Sequence, residues 1–372
     1  MHCSRSWVEI SAHALRHNYT QLLRAARGVH LAPVVKANAY GHGLVPVAQL
    51  LDADPTVPFL SVAFLSEALE LRAHGIATPI MVMSFCDAPL AEAAGHDIHF
   101  FVSNEQQVRE IASVGAALGT IFDLHLKIDT GLSRFGTTMG DAVSLAQFIA
   151  SREYLRLAGV CTHFSYAQAA DQTSAREQTH QFGRALADIT NAGLACTWQH
   201  CANSAAALFS RPPGNLVRVG AALYGMWPSS VVRDRAEQEG LMLKPVMQWK
   251  AAIAELRIVP AGRAVGYERT FVTKRPTRLA MVPVGYADGY DVRFSNAMHV
   301  LIGAKATPVV GRVAMNVMLV DVTDVPEATV GAQLILWQAT DDFLASAARV
   351  GITNPRELPT RIDVRIPRIV VP

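Results

Sequence analysis

What most limits the folds open to this chain is a rhythm. Between Ala32 and Gly225 eight short apolar runs alternate with helix-like stretches: APVVKA, PFLSVA, PIMVMS, IHFFVS, FDLHLKID, LAGVCTHF, TWQHCANS and LVRVGAALYG. The segments between them include SEALELRAHG, NEQQVREIASVGAAL and AREQTHQFGRALADITNAG. Strands that are apolar along their whole length are buried on both faces, and helices between them supply the crossovers of a parallel sheet. Eight such units within the first 225 or so residues match the size of a closed (β/α)8 barrel. An open doubly wound sheet is the competing arrangement, but no glycine fingerprint follows the first run. Ahead of the rhythm lie a short strand at Trp7–Ile10 and an amphipathic helix from about Ala12 to Arg27.

Past Leu241 the texture changes. PVMQWKAAIAELRIV, TRLAMVPVGYA, HVLIGAKATPVVGRVAMNVMLVDVTD, QLILWQ and RIPRIVV are strands broken by Gly, Pro and Asp, with few helical stretches. This predicts a second, mainly antiparallel β domain. The expected organisation is an N-terminal strand over 1–10 that joins the β domain, a barrel over 11–238, and a β domain over 239–372.

Composition removes several functional classes. The chain has 372 residues, 51% of them hydrophobic and 17% charged, with a formal net charge of +2 and the two signs interspersed. No basic stripe suits nucleic acid. No apolar run approaches the roughly 18 residues that span a bilayer, and the start MHCSRSWVEIS lacks the pattern of a secretory signal. Cys3, Cys86, Cys161, Cys196 and Cys201 are odd in number and scattered. Four of the five sit among apolar or small residues, which predicts buried free thiols; there is no CxxC pair, and no metal is expected. The expectation is a cytoplasmic protein with no nucleic-acid or membrane partner.

Polar residues cluster at the C-terminal ends of the runs, where a barrel keeps its chemistry. The first run delivers Lys36, the fifth Lys127 and Asp129, the sixth His163, the seventh His200, Asn203 and Ser204, and the eighth Arg218. A lysine carried by a buried strand is paired, deprotonated or covalently used. Desolvation lowers its pKa and makes the amine a nucleophile able to form a Schiff base; the plainer alternative is a packed stem whose ammonium pairs with a carboxylate such as Asp129. ANSAA offers a helix start capped by Asn203 or Ser204, and RVGAALYG lets backbone N–H groups approach a ligand, as in barrel phosphate sites. A Schiff-base lysine together with a phosphate cradle suggests pyridoxal 5′-phosphate (PLP). Arg218 stays protonated, so it donates only to an unprotonated pyridine nitrogen. That weakens the electron sink and suits quick removal and return of one proton.

At this point the motifs resemble a family. VVKANAYGHG, LKIDTGLSRFG, THF, HCANSAA, VRVGAALYG, GYERTF, VPVGYADGY and GRVAMN, in this order, resemble the alanine racemases, the barrel-type PLP racemases. The resemblance runs from Trp7 to the terminal RIPR. It implies a homodimeric isomerase that interconverts L- and D-alanine and supplies D-alanine for peptidoglycan. In that likeness Lys36 carries the cofactor and is the base on one face of the substrate, and Tyr267 from the partner protomer is the opposite base. Tyr40, Asn203, Ser204, Gly220 and Ala221 hold the cofactor's phosphate end. Arg218 meets the pyridine nitrogen, and His163 stacks on the ring and orients Tyr267. Arg134 and the backbone at Met315 hold the substrate carboxylate, Asn316 and Tyr286 line the mouth, and Lys127 matches a lysine that is often carbamylated.

Two positions depart from the family pattern: Asn316 stands where an Asp is usual, and Val364 where a Tyr often precedes RxPR. Both leave room for a broad-specificity or serine-type racemase. A barrel-type PLP decarboxylase would need a glutamate at the ring nitrogen and a glycine-rich phosphate loop. A non-enzymatic PLP carrier would need neither Tyr267 nor a second domain.

Overall fold

The eight apolar runs are eight strands. In the computed structural model, which describes residues 5–209 and 213–372, they are β2 (His30–Pro33), β3 (Leu60–Val62), β4 (Ile80–Val82), β5 (Ile98–Val102), β6 (Phe122–Lys127), β7 (Leu155–Cys161), β8 (Trp198–His200) and β9 (Leu216–Val219), preceded by β1 (Ser6–Ser11). Every residue of β3 to β6 is buried, as expected of strands covered on both faces. β3 to β8 pair in chain order, all parallel, and β2 pairs parallel to β9. The ring closes through Val35 N donating to Ser61 O at 2.8 Å on one side. On the other, Asn215 N donates to Gln199 O and Arg218 N to Ala202 O, at 2.9 and 3.1 Å. The closed barrel, not the open sheet, is the result.

Helices follow most of the barrel strands, some of them with side-chain caps and some without. The helix Glu105–Leu118 begins at Asn104, whose side chain accepts from Gln107 N at 3.0 Å, a bond worth about 1 kcal/mol. Inside the barrel Ala32, Phe59, Met81, Phe101, Cys161 and Leu216 pack into one cluster; each large side chain there contributes about 1.5–3 kcal/mol of burial.

The chain divides into two units. One is Arg16–Ala39 with Leu44–Leu243, the barrel; the other is Met1–Leu15 (described from Arg5), Tyr40–Gly43 and Lys244–Pro372. The second holds β10 (Met247–Ala252), β11 (Glu255–Val259), β12 (Ala264–Val265), β13 (Phe271–Val272), β14 (Thr277–Val282), β15 (His299–Ile302), β16 (Lys305–Pro308), β17 (Met318–Asp321), β18 (Gln333–Gln338) and β19 (Arg368–Val371). Six strands form one sheet in the order β16-β15-β18-β10-β1-β19, in which only β1 and β19 run parallel. Alternating burial along β1 and β10 marks a sheet with one covered face. β11-β14-β17 make a second antiparallel sheet, and β12-β13 a hairpin.

Three expectations need correction. Lys36 does not end a strand: β2 stops at Pro33, and Lys36 opens a turn of its own. The β domain carries a helix at Asp341–Arg349 whose buried Phe343 and Ala347, four apart, anchor it despite a polar sequence. Cys86 is exposed, whereas Cys161 and Cys201 are buried and Cys196 half-buried; Cys3 lies outside the described residues. Among the described residues no helix is long and apolar enough to cross a membrane.

Candidate active site

At the C-terminal ends of the barrel strands the chain turns abruptly, and the turns set the polar groups. Residues 37–40 all take left-handed backbone angles, with φ of 52–54°, a conformation that costs about 1–2 kcal/mol per non-glycine residue. The surroundings hold it. Glu67 Oε1 accepts from Ala37 N at 2.6 Å, and Asn38 Oδ1 accepts from Leu44 N at 2.7 Å. Strain of this kind accumulates where a side chain must be aimed. The side chain aimed here is Lys36. Burial is the main cause that holds its amine below the usual lysine range; Arg134 adds to it and Glu67 opposes it.

Asp129 is not its counter-ion. Asp129 Oδ1 accepts from the backbone N–H of Gly131, Leu132 and Ser133 at 2.9, 3.0 and 3.2 Å and so shapes the loop that presents Arg134. Among the described residues Lys36 and Asp129 make no ion pair, which removes the plainer reading of Lys36. Lys127, at the end of β6, is 4% exposed. Its amine lies 3.7 Å from the centre of the Phe135 ring. Burial first, with Arg218 and Arg134 adding and Cys161 opposing, brings its pKa down to about 8.

Arg218, on β9, is buried, and its terminal nitrogens are committed. Nη2 donates to Thr162 O at 2.7 Å and to His163 Nδ1 at 3.3 Å. Nη1 donates to His200 O at 3.1 Å and to His200 Nδ1. Among the described residues the Nε–H is the one donor of this guanidinium not engaged. Burial, then Arg218 and three further cations, holds His163 well below the usual histidine value, so its ring is neutral and accepts.

The loops after β8 and β9 meet through Gly220 N, which donates to Ser204 Oγ at 3.2 Å. Asn203, rather than Ser204, is the helix cap: its Oδ1 accepts from Ala205 and Ala206 N, both at 3.1 Å. Tyr224 Oη donates to Val34 O at 3.0 Å and locks the turn containing Ala221 to the end of β2. Lys36, Lys127, Arg134, His163, Asn203, Ser204, Arg218, Gly220 and Ala221 therefore all lie in the barrel unit, on loops or strand ends at its C-terminal rim.

The remaining expected residues belong to the other unit. Tyr40 is half-buried there; burial pushes its phenol up, and Arg356 opposes. Tyr267 follows Gly266 (φ 72°) and precedes Glu268 and Arg269, both left-handed. It is 71% exposed, and its hydroxyl has no partner among the described residues. Tyr286 and Met315 are brought together: Tyr286 N donates to Ala314 O and Ala287 N to Met315 O, at 3.0 and 2.9 Å. The approach needs Gly285, since a Cβ there would sit 2.2 Å from Ala314 O. Met315, Asn316 and Val364 are exposed.

Sequence reasoning missed Glu67, which braces the Lys36 turn, and His99 and His125, which lie behind His200. Their signal was present: IHFFV and DLHLK put histidines at inward positions of barrel strands that are otherwise apolar.

Residues 10–228 match the family described as alanine racemase, N-terminal domain, and residues 246–370 the alanine racemase C-terminal domain. An alanine racemase of Desulfovibrio desulfuricans is 36% identical over 98% of both chains. One of Syntrophobacter fumaroxidans is 38% identical over 90% of this chain and 88% of its own. The crystal structure of alanine racemase from the D-cycloserine-producing Streptomyces lavendulae superposes with a TM-score of 0.90 at 34% identity, covering 100% of this chain and 98% of that one. Its counterpart from Streptomyces coelicolor gives 0.89 at 33% identity, covering 99% and 98%. With both halves of the chain matched and relatives of more than 30% identity covering nearly all of it, the chain belongs to the alanine racemase family.

Proposed function

We propose that this enzyme interconverts L- and D-alanine with pyridoxal 5′-phosphate at the rim of the barrel. In this reading it works as a cytoplasmic homodimer and supplies D-alanine for peptidoglycan. The observation that carries the reading is the donor set of Arg218. Its four terminal N–H groups are held by protein acceptors, and its remaining Nε–H suits a lone pair, which is what an unprotonated pyridine nitrogen presents. Asn203, Ser204, Gly220 and Ala221, with Tyr40, fit the phosphate. When bound, PLP withdraws electrons from the substrate's Cα and acidifies its proton.

The chain's own residues then do the rest. A guanidinium at the ring nitrogen would restrain that withdrawal, which suits quick removal and return of the proton at one carbon. Lys36, with its lowered pKa, holds or takes the proton on one face. Tyr267 serves the other face from the partner protomer; its exposure and unengaged hydroxyl support this role. His163 would lie against the ring and orient that phenol. Arg134 and the N–H of Met315 orient the substrate carboxylate, with Asn316 and Tyr286 at the mouth. Lys127, once carbamylated, would steady Arg134.

Lys36→Ala tests the reading: the visible absorbance of the protein-bound cofactor disappears, and its survival would sink the assignment. Wild-type enzyme offered a panel of L-amino acids in deuterated water should label Cα and yield the D-isomer, fastest with alanine. A faster reaction with serine would favour the broad-specificity reading that the exposed Asn316 and Val364 support. Release of carbon dioxide would overturn both.

A further inference from the structure

Barrel interiors are ordinarily filled by layers of branched apolar side chains. This one carries a polar file from its N-terminal mouth to its C-terminal rim. His99, on β5, has Nε2 3.3 Å from Asp97 Oδ1 and 3.9 Å from Asp123 Oδ2. His99 Nδ1 lies 3.1 Å from His125 Nε2, on β6. His125 Nδ1 lies 2.8 Å from His200 Nε2, on β8, and His200 Nδ1 meets Arg218 Nη1. His125 and His200 are fully buried and His99 is 7% exposed.

The direction of this file is fixed at both ends. Arginine has no acceptor, so His200 Nδ1 accepts, and a neutral imidazole that accepts at Nδ1 donates from Nε2. His125 then accepts at Nδ1 and donates from Nε2 to His99 Nδ1, and His99 donates from Nε2 to Asp97. Every bond is satisfied in one arrangement of hydrogens only, and the chain ends on a carboxylate. Burial holds all three rings neutral, which that arrangement requires.

A second feature shows that the space was made for it. β7 lies between β6 and β8, and the residue it presents there is Gly159. A Cβ on Gly159 would stand 2.3 Å from His125 Nδ1, the atom that accepts from His200. The glycine opens the gap through which two strands, themselves not neighbours, exchange a hydrogen bond. Phe101 stacks on His125 at 5.7 Å and Phe59 meets His99 edge-on at 4.8 Å, closing the file to water.

We propose that His99, His125 and His200 form a one-way hydrogen-bonded file, ending on Asp97, whose function is to position Arg218 for the pyridine nitrogen. All three rings are Nε2–H tautomers, and His99, His125 and Gly159 are positioning residues of the reaction. The function rests on the reading of Arg218 given above; the tautomers do not.

The test uses full-length protein labelled with 15N-histidine, cofactor-free and loaded. In wild type all three rings show a protonated Nε2 and a bare Nδ1 in both forms. His99→Gln keeps an acceptor for His125 and a donor for Asp97, so it retains the His125 and His200 signals and keeps kcat within about twofold. His99→Leu fills the space but ends the file; His200 shifts, and kcat falls about tenfold or more with KM little changed, in the range seen when a partner of an active-site group is removed. Gly159→Ala, which displaces His125, behaves as His99→Leu. Melting temperatures identify any variant that fails to fold. An Nδ1–H tautomer or a doubly protonated ring at His125 or His200 overturns the file. His99→Leu turning over as fast as His99→Gln overturns its function. If Lys36→Ala keeps the visible absorbance while the tautomers stand, the cofactor reading fails and the file survives.

Discussion

Lys127 offers a stability measurement with a definite sign. Its ammonium is buried on β6 without a carboxylate at contact distance among the described residues. The gap between the ordinary lysine value of 10.5 and about 8 corresponds to ~3 kcal/mol of penalty for the charged form. Below pH 8 the amine is charged in the folded and unfolded chain alike, and the fold carries the whole penalty. Between pH 8 and 10.5 only the unfolded chain binds the proton, so stability rises with pH. Above 10.5 the penalty is gone. The Phe135 ring 3.7 Å away returns about 1–2 kcal/mol as a cation–π contact. Lys127→Met should therefore make the protein ~1–2 kcal/mol more stable at pH 7 and abolish the rise between pH 8 and 10.5. The assay is urea denaturation of cofactor-free protein at one protein concentration, because subunit association also contributes. Carbon dioxide is removed first, since a carbamylated Lys127 would be an anion welcomed by Arg134 and Arg218. Restoring bicarbonate should then stabilise wild type and leave Lys127→Met unmoved. A wild type more stable than the variant at pH 7 without bicarbonate, or equal slopes above pH 8, would refute the reasoning.

Three other perturbations separate the parts of the site. Tyr267→Phe should leave the cofactor's absorbance intact and lower Cα deuterium exchange much more from the enantiomer whose proton Tyr267 removes than from the other, read on each enantiomer separately; equal, trivial losses of exchange would argue against a two-base scheme. Gly285→Ala forces the backbone at Ala314 and Met315 to move by an ångström or more, because a Cβ would lie 2.2 Å and 2.3 Å from their oxygens; KM should rise more than kcat falls. Asn203→Ala frees two backbone N–H groups and should cost about 1 kcal/mol in thermal unfolding, with weaker retention of PLP on dialysis.

The barrel was legible because its signal is a count: eight apolar runs and the helices between them leave little else to build. The site was legible residue by residue only where polar groups interrupt that pattern, as at Lys36, Lys127 and Arg218. What they do to one another was not. Asp129 sits in sequence where an ion-pair partner for Lys36 would sit, yet three backbone N–H groups claim it, because the loop it opens has no other way to satisfy them. Glu67, thirty-one residues beyond Lys36, braces its turn, and no local pattern announces that. Asp341–Arg349 escaped notice because a helix needs only Phe343 and Ala347 on one face to be anchored, too few to stand out among polar neighbours.

The rim of the barrel gathers Lys36, Lys127, Arg134 and Arg218, against Asp129, bound by its own loop, and Glu67, which holds the N–H groups of Ala37 and Ala63 at 2.6 and 2.8 Å. Two of these cations depress their neighbours: Arg134 acts on Lys36, Lys127 and Arg218, and Arg218 on Lys127. Such a cluster is short of negative charge, and a phosphate or a carboxylate supplies it. Binding an anion must then raise the lysine pKa values again. Once a carboxylate is seated, the amine of Lys36 should therefore lie closer to the ordinary lysine range than it does in the anion-free site.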